Sequence, residues 1–174
     1  MRIARIILCL LLSMFFSAQA QAWFPQEFGI RGGLDAAGTR ENYEVQEIYV
    51  STDLPWRMPV DSLVGLSVRL EVGAAQFEVA GEDGHWLAAG GALVHRSFGE
   101  RLEFEAGWRP TWLPDYKFGR DHFGGQVQFS THAGVAFVWQ QIRWSYRFQH
   151  TSNAGFYEDN PGLDLHMFGV GFRF

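Results

Sequence analysis

Apolar and polar residues alternate along most of this chain, and a period of two is the mark of a strand with two different faces. Between Glu27 and Ala36 the apolar or small set is Phe28, Ile30, Gly32, Leu34 and Ala36, set against Arg31 and Asp35. From 64 to 72 it is Val64, Leu66, Val68, Leu70 and Val72, against Gly65, Ser67, Arg69 and Glu71. Leu102, Phe104, Ala106 and Trp108 oppose Arg101, Glu103, Glu105 and Arg109; Val127, Phe129, Val135 and Phe137 oppose Gln126, Gln128 and His132. Near the C-terminus Ile142, Trp144, Tyr146 and Phe148 oppose Arg143, Ser145, Arg147 and Gln149, and Phe168, Val170, Phe172 and Phe174 oppose Gly169, Gly171 and Arg173. Two further segments, Tyr43 to Ser51 and Trp86 to Val94, are less clean, with Glu47 and Gly90 interrupting them.

The pattern predicts an all-β protein of about eight strands, each of roughly ten residues, joined by loops that carry Gly, Asp, Asn and Pro. That length and an even strand number suit an eight-stranded antiparallel transmembrane β-barrel. A soluble lipocalin-like barrel, with its apolar side turned inward, is the competing architecture. Three features favour the membrane. The charged faces carry Arg and Glu in similar numbers, which can pair across a narrow lumen, so Arg143, Arg147 and Arg173 are expected to meet Glu71, Glu103 and Glu105. Trp86, Trp108, Trp112, Trp139 and Trp144 lie near strand ends, as an aromatic girdle would. The chain ends on Phe174 after unbroken alternation, which resembles the insertion signal of bacterial outer-membrane proteins.

The N-terminus adds a compartment. Arg2 and Arg5 precede an apolar run from Ile6 to Phe16 and the small residues around Ala18, Ala20 and Ala22, the three-part pattern of a cleaved secretory signal peptide. The run is about eleven residues, short of the roughly twenty that a spanning helix needs. The expected division is a signal peptide at 1–22 and a barrel domain at 23–174. Cys9, the one cysteine, falls inside the signal, so the mature chain is expected to do no thiol chemistry. Losing Arg2 and Arg5 takes the formal charge from −5 to −7, and nucleic acid is excluded as a partner for want of a basic face.

Candidate chemistry is concentrated in His150-Thr151-Ser152-Asn153-Ala154-Gly155, followed by Asn160, Pro161, Gly162 and Asp164. His150 and Ser152 are two apart and project from one face of an extended strand, sharing parity with Trp144, Tyr146 and Phe148. Asp164 shares parity with Phe168 and Val170, and a hairpin centred near residue 157 places it opposite His150. The three residues then meet on the outer wall of the barrel. Their types supply a nucleophile (Ser152), a base (His150) and an orienting acid (Asp164) for ester hydrolysis. Asn153, Gly155 and Asn160 offer donors for an oxyanion hole, or simply form the turn.

This hairpin resembles the outer-membrane lipid A 3-O-deacylases, also called acyloxyacyl hydrolases. The match rests on His150 to Gly155, then Asn160, Gly162 and an acid two residues on. The resemblance implies an eight-stranded barrel in the bacterial outer membrane that removes the ester-linked 3-hydroxyacyl chain at position 3 of lipid A. It implies lipopolysaccharide as substrate, outer-membrane lipid as surroundings and no metal or other cofactor, and it allows a homodimer. By position, His150 is the base, Ser152 the nucleophile, Asp164 the acid and Asn160 an oxyanion contributor. The family's acid is more often Glu; Asp is one methylene shorter, which predicts reduced reach to His150 unless the strands sit closer.

Other readings are weaker on the residues. His85, His95, His122, His132 and His166 lack metal-ligand spacing, though His166 shares the parity of Asp164 and is placed to meet a substrate phosphate. A non-enzymatic small outer-membrane barrel, serving adhesion or membrane integrity, is the alternative from another class. An acyltransferase barrel would need a lumenal acyl pocket, whereas the parity puts the trio outside.

Overall fold

Each alternating segment forms a strand, and the strands close on themselves. The computed structural model describes residues 24–36, 41–60 and 64–174; the segment 1–22, expected to be a signal peptide, lies outside them. The strands are β1 (Glu27–Asp35), β2 (Tyr43–Val60), β3 (Val64–Val79), β4 (Glu82–Ser97), β5 (Leu102–Trp112), β6 (Lys117–Phe118), β7 (Asp121–His122), β8 (Val127–Trp139), β9 (Ile142–Ser152) and β10 (Leu163–Arg173). Eight of them form one antiparallel barrel in the order β1-β10-β9-β8-β5-β4-β3-β2, while β6 and β7 make a separate small hairpin. The first strand pairs with the last from Glu27↔Arg173 to Asp35↔Leu165, so the sheet leaves no open edge.

The two faces follow the sequence parity. Phe28, Ile30, Leu34, Ile48, Val72, Phe104, Trp144, Phe168 and Phe172 stand exposed on the outer wall. Arg31, Arg69, Glu71, Glu103, Arg109, Arg143 and Arg147 are buried in the lumen. A barrel that is greasy outside and charged inside is stable where its outer wall meets hydrocarbon, the arrangement of outer-membrane barrels.

The lumen holds two regions. In the first, arginines surround carboxylates. Glu47 and Glu71 take Arg109 at 2.7 and 2.8 Å and Arg147 at 2.9 and 3.0 Å, and Arg31 bonds both. Glu103 takes Arg143, Arg96 and Arg173, each at 2.8 Å, and Arg69 at 3.1 Å. The expected pairing of Arg143, Arg147 and Arg173 with Glu71, Glu103 and Glu105 is present within this larger network, where Glu47 and Glu27 also take part. The second region, at the end opposite the termini, is an apolar plug built from Tyr43, Val45, Phe77, Val79, Trp86, Leu113, Phe118, Phe123, Leu163, Leu165 and Met167. Its rings pack tilted or edge-on, Phe77–Phe118 at 5.0 Å and Phe77–Trp86 at 5.2 Å between centroids.

Two expectations change. Trp108, Trp112, Trp139 and Trp144 lie on the outer wall, but Trp86 is 2% exposed and belongs to the plug, not to a girdle. Glu47 and Gly90 do not interrupt their strands. Glu47 points inward among the arginines, and a side chain at Gly90 would run into the backbone of Trp108 and Arg109. Parity continues through both positions.

Candidate active site

The site is built on the β9–β10 hairpin, whose register pairs Asp164 with His150 and Leu163 with Thr151. Residues directly opposite bring their Cβ atoms within about 5.5 Å, so even a short carboxylate can reach an imidazole. It does: His150 Nδ1 and Asp164 Oδ1 are 2.7 Å apart. The shortened reach expected of Asp is made up by this direct pairing. Both side chains look outward, 44% and 34% exposed respectively. Ser152 follows on the same face, about 7 Å along the strand from His150 by the rise of extended backbone, and pairs with Phe129 of β8. Inward-facing Thr151 separates them and bonds Ser130 Oγ at 2.8 Å, fixing the strand at this point. Gly162, at φ +71°, lies against the imidazole, where a Cβ would sit 3.3 Å from His150 Cε1.

The oxyanion candidates occupy the loop 153–162. Asn153 is fully buried and turns inward; its Nδ2 donates to the carbonyls of Phe123 (3.2 Å) and Asp159 (2.6 Å), and its Oδ1 accepts the Gly155 amide at 2.8 Å. The Asn153 amide donates to Asn160 Oδ1 at 3.1 Å. The Asn153 and Gly155 amides are therefore engaged within the loop, while the bond to Asn160 uses its oxygen and not its Nδ2 donors. Ala154 (φ 53°) and Gly155 (φ 81°) both take the left-handed conformation that this tight turn demands.

Around the trio the wall is aromatic. Trp108 and Phe129 stack at 5.7 Å and 10°, and Phe156 of the loop packs on Phe129 at 5.6 Å. One step from Asp164, His166 shares a 2.9 Å hydrogen bond with Tyr146 and meets the edge of Phe148. Sequence parity singled out His166 but missed Tyr146, which reads as one more apolar position. It also missed the crossing between β5 and β8, residues 113–126, which packs against the site loop; the pair Gly124-Gly125 was its one signal. At this crossing His122 Nδ1 pairs with the Asp159 carboxylate. Arg120 bonds Glu41 and holds that carboxyl below its ordinary value. Among the described residues no three His, Cys, Asp or Glu side chains gather as a metal site.

A base hydrogen-bonded to an acid, with a hydroxyl on the same lipid-facing wall, can act on an ester presented from the membrane. Comparison with known proteins points the same way. The family described as "Lipid A 3-O-deacylase (PagL)" matches residues 41–173, which includes every strand of the barrel except β1. The chain belongs to this family. It is 31% identical over 133 residues to the lipid A deacylase PagL of Bordetella bronchiseptica, an alignment that spans 74% of this chain and 75% of that protein. The crystal structure of the outer membrane enzyme PagL superposes with a TM-score of 0.71 at 18% identity, covering 84% of this chain and 99% of that one. PagL-family membership makes this barrel an outer-membrane protein of a lipid A-deacylating family.

Proposed function

We propose that the protein hydrolyses the ester that holds the 3-hydroxyacyl chain at position 3 of lipid A, with Ser152 as nucleophile, His150 as general base and acid, and Asp164 as the group that orients the imidazole. The observation that carries this reading is the His150–Asp164 bond on the wall it shares with Ser152. A polar trio facing hydrocarbon is costly unless its members bond to one another, and ionisable groups kept in such a place mark a functional site.

With Nδ1 turned to Asp164, Nε2 is the nitrogen that takes the proton from Ser152 Oγ. The oxygen attacks the ester carbonyl and gives a tetrahedral oxyanion, for which Asn160 Nδ2 is the remaining donor of the three candidates, since the Asn153 and Gly155 amides are engaged. Collapse breaks the bond to the sugar oxygen, and His150 returns the proton to that departing alkoxide. Water, activated by the same imidazole, then splits the acyl-serine. The products are a free 3-hydroxy fatty acid and lipid A with a free 3-hydroxyl.

The test is mass spectrometry of lipid A from cells that express this chain, beside cells with Ser152→Ala at matched outer-membrane levels. The expected result is loss of one 3-hydroxyacyl mass with the unmodified chain and a fall of at least about a thousandfold in rate for the variant. Unchanged lipid A in both would move the reading to a non-enzymatic small barrel.

A further inference from the structure

We propose that Tyr157, laid across the bare backbone of Gly124 and Gly125, is a positioning residue that sets how Asn160 presents its side-chain amide to the ester at Ser152; this rests on the hydrolase reading above.

The loop 153–162 carries the donor but has little strand structure of its own. What it leans on is the crossing 113–126, and that crossing is anchored: Phe118 and Phe123 are each 2% exposed in the apolar plug. Just past Phe123 the crossing presents two residues without side chains. A Cβ at Gly125 would lie 2.5 and 2.8 Å from two ring carbons of Tyr157, and one at Gly124 would lie 2.6 Å from the carbonyl oxygen of Asp159, the residue before Asn160. Gly124 is at φ +79°, so its backbone alone favours glycine. Gly125 is not among the residues with positive φ. What bars a side chain there is the ring of Tyr157. The ring thus seats one side of the loop on the crossing, while Asn153 ties the loop to Phe123 of that crossing and, within the loop, to Asp159. Asn160 is held between them through the Asn153 amide. An oxyanion donor acts only when placed to within about half an ångström, so the clamp has a direct consequence for rate.

The experiment measures kcat and KM on lipid A for Tyr157→Ala, Tyr157→Phe, Gly125→Ala, Asn160→Ala and the double variant Tyr157→Ala/Asn160→Ala. Ser152→Ala serves as the inactive reference, and barrel closure is checked by heat-dependent gel migration. Tyr157→Ala and Gly125→Ala are expected to lower kcat about ten- to a hundredfold with KM little changed, and Tyr157→Phe, which keeps the ring, to retain activity. Once Asn160 is truncated, removing Tyr157 should cost less than about twofold more, because its effect passes through that donor. Full kcat in a closed Tyr157→Ala barrel overturns the proposal, as does a loss that multiplies undiminished onto Asn160→Ala. Activity surviving in Ser152→Ala overturns Ser152 as the nucleophile, and this inference with it; no hydrolysis by the unmodified chain overturns the hydrolase reading itself.

Discussion

Asp164 is the residue on which sequence and structure bear most differently. Parity alone put Asp164, His150 and Ser152 on one wall, and the hairpin register agrees residue for residue. Side-chain reach was not legible, because parity and register fix which residues stand opposite each other but not the rotamers and strand separation that set the distance between their tips. The direct pair closes the gap to 2.7 Å with an aspartate. A glutamate at this position would have to fold back its extra methylene to make the same bond. Asp164→Glu is therefore expected to leave kcat unchanged within about threefold, or to lower it. Asp164→Asn should lower it by about a thousandfold or more, since an amide neither holds the imidazole in the required tautomer nor offsets its positive charge. Steady-state hydrolysis of lipid A by the two variants checks both. A rise of tenfold or more in Asp164→Glu would mean that the aspartate is too short after all.

At the scale of strands, alternation told which residues face in, but not what the inside is made of. The lumen changes along its axis from an arginine–carboxylate network to an apolar plug, and both accept inward residues of the same parity. That is why Glu47 read as a break in β2, although it sits among Arg31, Arg109 and Arg147, and why Trp86 read as a girdle residue, although it fills the plug. The packing of residues 113–126 on the site loop was out of reach for a different reason: it joins segments some thirty residues apart through backbone carbonyls and bare glycines, which leave almost no pattern. The network itself makes a prediction. Glu71 is shared by Arg31, Arg109 and Arg147. Glu71→Ala leaves three buried guanidinium groups with Glu47 as their one remaining shared carboxylate, and breaking such a buried cluster costs about 3–5 kcal/mol. Denaturant unfolding of the barrel in detergent or bilayer should show that loss. A change below about 1 kcal/mol would mean that water or rearranged partners supply the missing charge.

For the whole molecule, the decisive arrangement is that inward residues form a charged network and an apolar plug while the proposed trio stands on the outer wall. Among the described residues the network and the plug take up the lumen, and the trio is not part of either. His150 and Asp164 instead stand partly exposed on a wall of Trp108, Phe129, Phe148 and Phe168, the side that an outer-membrane barrel turns to lipid. On the proposed reading a substrate arrives sideways, within the leaflet, with its acyl chain already in hydrocarbon. The rate should then follow the concentration of substrate in the surface and not in the bulk. In mixed micelles, raising the detergent at constant total lipid A is expected to slow hydrolysis in proportion to the fall in surface mole fraction. A short-chain ester dissolved in water should be a poor substrate even at millimolar concentration. Its ester lacks the chain that would be held against the aromatic wall, and it gains nothing from the desolvated surroundings of the trio. Equal turnover of the soluble ester, or a rate indifferent to detergent dilution, would show that substrate reaches Ser152 through water and that the lipid-facing wall plays no part in its capture.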